Sequence, residues 1–189
     1  MEFRLVYEGP LRAHSGARDR RNHKQVIRRH LHPQLGILWG REPLKDLVER
    51  RRYLEPGGGN VCLLCPRGDF QFVPLVSDKL DLVASLDILL LRPGPAGRII
   101  RHGGDIDNRV KTLLDALRVP APDELPKDDR PTDDERPFFC LLGDDALVTR
   151  LTVETDELLE PGSPEKVRLL ICVRVWPTSL RDDNMDFGI

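Results

Sequence analysis

The sequence predicts an α/β (α+β) single domain with helices packed on a mixed β-sheet. Three observations point there. Apolar and polar residues alternate along residues 2–8, 80–92 and 167–176, the pattern of half-buried strands. After Asn108, the residues Val110, Leu113, Leu114 and Leu117 fall at i, i+3, i+4 and i+7, the pattern of an amphipathic helix. A length of 189 residues suits one domain whose core needs no staples. The expected domain is 1–176, with 119–143 a long acidic, proline-rich loop and 177–189 a loose C-terminal tail.

Taken in order, Phe3, Leu5 and Tyr7 alternate with Glu2, Arg4 and Glu8, and Gly9-Pro10 ends the strand. Residues 11–23 are basic and polar, hence a loop. Lys24 to His32 reads as a helix with Val26, Ile27 and Leu31 inward and Lys24, Arg28 and Arg29 outward, halted by Pro33. Pro43 is a good first residue for a second helix over 43–54. Residues 60–65 and 70–76 form a hairpin across Pro66 to Asp69. The long strand at 80–92 is broken by Pro93-Gly94-Pro95, and Arg98 to Arg101 leads into an acidic motif. Five prolines and many acids leave 119–139 without periodicity. Ala146–Val153 and Val167–Trp176 are the last strands. The strand starting at Ala146 is expected to run antiparallel to the one that ends before Asp105.

A 40% hydrophobic and 32% charged composition is that of a soluble globular protein. No apolar run has the length of a membrane span, and Met1-Glu2-Phe3-Arg4 does not resemble a signal peptide, so a cytoplasmic location is expected. Cys62 and Cys65 have zinc-like spacing but no second close pair. In their apolar segment they behave as small hydrophobes. The net charge of −2 conceals an asymmetry: Leu11 to Tyr53 holds 12 Lys/Arg against 4 Asp/Glu, and Asp105 to Glu165 holds 17 Asp/Glu against 7 Lys/Arg. Arg18, Arg20, Arg21, Lys24, Arg28 and Arg29 are therefore candidate nucleic-acid contacts, set against the reading of a solvated helix face.

Gly103-Gly104-Asp105-Ile106-Asp107-Asn108-Arg109-Val110-Lys111 is the segment with the most chemistry. Asp107 or Asn108 stands where a helix N-cap belongs, with Asp105 just upstream. Two carboxylates one residue apart can converge on one cation, and Lys111 lies one turn further along the helix. The pair Asp144-Asp145 opens a later strand and can supply a third oxygen ligand. An EF-hand is excluded, because Val110 occupies the position that needs glycine. Carboxylates without His or Cys suit magnesium, with manganese as a substitute.

Asp105-Ile-Asp-Asn-Arg-Val-Lys111, then Leu114-Asp-Ala-Leu117, then Gly143-Asp-Asp-Ala-Leu-Val148 resembles the RusA family of Holliday junction resolvases. The resemblance implies a RusA-like fold and an endonuclease of DNA recombination and repair that hydrolyses branched DNA as a homodimer. By position it makes Asp105, Asp107 and Asp145 the magnesium ligands, Lys111 the catalytic lysine and Asp144 a neighbouring acid. The chain departs from the family in the 26 residues between Leu117 and Asp144 and in an unmatched N-terminal region. Two alternatives stand beside this reading: a non-catalytic nucleic-acid-binding module, and a metal-dependent enzyme acting on nucleotides or other DNA structures.

Overall fold

The computed structural model describes residues 1–12, 17–51, 53–55, 61–94, 106–160 and 166–187. In chain order the elements are β1 (Glu2–Pro10), α1 (Ala17–Trp39), α2 (Leu44–Arg51), β2 (Cys65–Arg67), β3 (Phe70–Val76), β4 (Leu82–Arg92), α3 (Ile106–Leu117), β5 (Phe138–Leu142), β6 (Val148–Glu157) and β7 (Lys166–Pro177). Two sheets form among the described residues. One has the order β1-β7-β4-β6, antiparallel at its first two contacts and parallel between β4 and β6. The other has the order β2-β3-β5, with β3 and β5 parallel. Over the described residues the fold is a single α+β domain with two mixed sheets and three helices.

Strand alternation decides which face of the larger sheet is covered. Leu82, Ala84, Leu86, Ile88 and Leu90 of β4 are buried, as are Val167, Leu169, Ile171, Val173 and Val175 of β7. These residues share one core with Leu5 and Tyr7 of β1 and with the inner stripe of α1. That stripe is Ile27, Leu31, Leu35 and Trp39, each one turn beyond the last.

The same stripe explains why Pro33 does not halt the helix. α1 continues through Pro33 to Trp39 and begins earlier than the sequence suggested, at Ala17. A proline inside a helix costs about 3 kcal/mol, which buried apolar residues on both sides of it offset. Gln34 adds a further anchor: its amide donates to the Val6 carbonyl at 2.7 Å and accepts from the Val6 N–H at 2.9 Å. These bonds occupy main-chain groups on the free edge of β1.

Three further expectations are corrected. Residues 119–143 contain a strand, β5, whose Phe138-Phe-Cys-Leu-Leu142 is paired with β3. β6 runs parallel to β4, not antiparallel, because α3 and β5 lie in the connection and provide the crossover that parallel neighbours need. Residues 177–189 do not form a loose tail over their described part. Phe187 is in the core, and Asn184, 0% exposed, donates to the carbonyls of Leu80 at 2.7 Å and Ser179 at 2.8 Å. Asn184→Ala is expected to destabilise the protein by about 2 kcal/mol, because the buried Leu80 carbonyl loses its donor and the bond to the Ser179 carbonyl is lost with it. Denaturant unfolding measures this, and an unchanged midpoint would return the segment to a passive role.

Candidate functional site

α3 starts at Ile106, so Asp107 and Asn108 lie inside its first turn and neither is the N-cap. The unpaired N–H groups of a first turn favour a carboxylate there. Asp107 Oδ1 accepts from the Asn108 N–H at 2.8 Å, and the side chain remains exposed. Lys111 is exposed one turn later. Leu113, Ala116 and Leu117 face the core, which fixes the opposite side of the helix outward.

Asp144 precedes and Asp145 opens a single 3₁₀ turn over Asp145–Leu147 that leads into β6. Asp144 caps that turn by accepting from the Ala146 N–H at 2.9 Å, and both carboxylates are exposed. The turn packs against α3 and against β4. Leu147 joins the same apolar cluster as Ile106 and Leu114 of α3. The acid pair and the acidic helix are thus on adjoining elements.

Asp105 lies outside the described residues. Among the described residues no group of three or more His, Cys, Asp or Glu side chains is placed to hold a metal ion. A site of three acids here therefore requires Asp105. The parallel register adds a constraint, because Val148 pairs with Ala84, near the start of β4. Asp145 sits beside that start, whereas α3 follows the end of β4. At about 3.3 Å per residue, the chain from Pro93 to Asp105 is long enough to span the length of β4.

The basic cluster divides in two. Arg18 and Arg20 are exposed and Arg21 is half-buried. Lys24, Arg28 and Arg29 do not form an outward face, and Val26, expected inside, is 55% exposed. Lys24 Nζ lies 2.9 Å from Asp115 and 2.8 Å from Glu124. Arg28, 2% exposed, donates to the Asp115 carbonyl at 2.8 Å, and burial pulls its guanidinium down to about 10. Arg29 reaches Glu135 at 2.7 Å and Asp129 at 2.9 Å. The basic helix and the acidic loop seen in the sequence are thus partners in one fold. His32 completes the joint: its Nδ1 accepts from the Phe139 N–H, which leaves Nε2 to donate to the Asp134 carbonyl at 3.1 Å.

Arg28→Ala with Arg29→Ala is therefore expected to lower stability and to leave the salt dependence of DNA binding unchanged. Thermal unfolding and binding between low and moderate salt check both statements. A flattened salt slope in a fully stable variant would restore the DNA-contact reading.

Acid should loosen the same joint. Burial raises the Glu124 carboxyl, but hydrogen bonds from Lys24 and the Ala121 N–H, with the Lys24 and Arg118 charges, outweigh it and hold the group below its ordinary 4.5. Glu135 is likewise held below 4.5: burial raises it, and Arg29 and the Thr132 N–H overcome that effect. A carboxyl depressed in the folded state stabilises the fold above its unfolded value, and that stability is lost as pH falls through the folded value. The unfolding midpoint is expected to drop as pH falls below 4.5, with a shallower acid dependence in Glu135→Gln. Equal pH profiles for parent and variant would contradict this.

Little in the sequence marked the partners of Lys24, Arg28 and Arg29. Asp115, Glu124, Asp129 and Glu135 sit in stretches that read as helix surface or loop, and their signal was only the opposite charge of two distant segments. Comparison with protein-family models, curated proteins and solved structures gives no match for this chain. Among the described residues no helix is long and apolar enough to cross a membrane.

Proposed function

We propose that the protein is a magnesium-dependent endonuclease that hydrolyses phosphodiester bonds in branched DNA, in the manner of the RusA family it resembles, acting as a homodimer. The observation that carries this reading is the packing of the Asp145–Leu147 turn on the helix that bears Asp107 and Lys111. The donor set supports it too. Asp107, Lys111 and Asp145 are exposed, and among the described residues none of them is held in an ion pair. Carboxylate oxygens are the donors that magnesium and manganese prefer.

Asp105, Asp107 and Asp145 would hold the ion, which when bound supplies Lewis acidity and an acidified water. Lys111 would offset negative charge developing on the phosphodiester oxygens. Asp144 holds the turn through its cap and so positions Asp145. Its role differs from that of its neighbour.

Calorimetric titration with manganese tests the assignment. One site per chain is expected, lost in Asp145→Asn and largely kept in Asp144→Asn, because asparagine caps as well as aspartate. Equal binding in parent and Asp145→Asn would remove Asp145 from the site.

A further inference from the structure

β6 is the outer strand of its sheet and pairs only with β4 among the described residues. On the other outer strand, β1, Gln34 takes up main-chain groups of the edge. Residues 150–154 of β6 carry no such side-chain bond among the described residues. An edge strand of ten residues, with neither proline nor lysine, is a template for another strand.

The hydrogen bonds fix which residues face outward. The Leu158 N–H donates to the Arg92 carbonyl at 2.8 Å, and the pairing with β4 runs without a shift over residues 150–157. Main-chain groups alternate sides along a strand, so residues 150, 152, 154 and 156 also bond toward β4. Leu151, Val153 and Thr155 therefore turn their N–H and C=O groups to the free edge.

An antiparallel partner must set outward residue against outward residue. About a twofold axis through Thr152, Leu151 meets Val153 of a second copy and Arg150 meets its Glu154. Each pair is made twice. Leu151 and Val153 lie opposite the buried Leu86 and Ile88, and Leu151 is 40% exposed, so their pairing continues the apolar face across the join. Arg150 is only loosely held, 3.6 Å from an Asp87 that Arg174 already reaches at 2.7 Å. Glu154 is exposed and in no ion pair among the described residues. An axis at Val153 would set Arg150 against Asp156 but Leu151 against Thr155, and an axis at Leu151 would set Arg150 against Thr152. Only the axis at Thr152 matches the charged and the apolar pairs together.

We propose that β6 is the interface between two copies of this chain, paired antiparallel about Thr152 so that two four-stranded sheets become one. This joint serves the homodimer proposed above and rests on that reading for the pairing of two copies. The strand register that supports it is independent of the metal site.

Sedimentation of the protein in EDTA, without DNA, reads pairing whether or not the chain cleaves a junction. A species of twice the 21.5 kDa chain mass is expected. Glu154→Arg sets like charges against each other at two places and is expected to weaken association about tenfold or more, as is Arg150→Glu. Arg150→Glu combined with Glu154→Arg restores opposite charges and is expected to recover the parent's association. Thr152→Cys is expected to form a disulfide-linked dimer under mild oxidation that the parent does not, because Cα atoms opposed on the axis lie about 4.5 Å apart. A monomeric parent overturns the proposal. So does a dimer that the single reversals leave intact, or a loss that the double variant does not recover. Thermal unfolding is followed for each variant. If the reversals do not fold, the Thr152→Cys cross-link decides alone, and its absence overturns the proposal. A dimer that passes these tests yet leaves junctions intact keeps the joint and removes the nuclease reading.

Discussion

Asp107→Asn is expected to fold as the parent does and to lose cleavage of branched DNA by a factor on the order of 10³ or more. The side chain is exposed in the first turn of α3, and its one bond among the described residues is to the neighbouring Asn108 N–H. Asparagine keeps the oxygen acceptor for that bond, so the turn should persist. What disappears is a negative charge at the proposed ion site. Loss of a charged ligand removes the ion's stabilisation of the reacting phosphate, usually the largest part of such catalysis. Cleavage assays with thermal unfolding on the same preparation separate the two effects. A variant that unfolds early would mark Asp107 as structural, and one that cleaves normally would remove it from the chemistry.

The second large effect is expected near the other end of α3, where Lys24 meets Asp115. Lys24→Met should lower stability by about 3 kcal/mol, because it strips the ammonium from Asp115 and Glu124. The three side chains are only 6%, 16% and 19% exposed, so water restores little of the lost interaction. Arg118 stays beside both acids, at 3.5 Å and 3.0 Å, which keeps the loss from being larger. For a chain of this size the unfolding temperature should fall by roughly 6–12 °C. Glu124→Gln in the same chain should recover part of the loss by relieving an unpaired carboxylate. An unchanged unfolding temperature, joined to weaker DNA binding, would reverse the assignment of Lys24 from joint to DNA contact.

Lys24 also shows where sequence reasoning stopped. Periodicity located the amphipathic helix after Asp107 and the long strands near 80–92 and 167–176, because half-buried elements write their burial into a repeat of 3.6 or 2. It misassigned the face of α1, since a charged residue carries no mark of an acid waiting 100 positions away. Val26 was placed inside for the same reason, as an apolar residue whose neighbours' partners were unseen. β5 was missed because Phe138-Phe-Cys-Leu-Leu142 is a continuous apolar run without alternation, as befits a buried strand with a parallel neighbour. The tail was missed because its hold depends on Asn184, a polar residue buried by main-chain acceptors. In the candidate site, local order singled out Asp107, Lys111 and the Asp144-Asp145 pair before a strand, but neither the 3₁₀ turn over Asp145–Leu147 nor the parallel register that sets it beside the start of β4.

The central claim is tested most directly by incubating the purified protein with a four-way DNA junction, a flap and a linear duplex, with magnesium and with EDTA. The expected result is cleavage of the junction in magnesium alone, well above that of the duplex, and none in Asp107→Asn or Asp145→Asn. Junction cleavage that persists in EDTA, or an intact junction in magnesium with folded protein, would contradict the account.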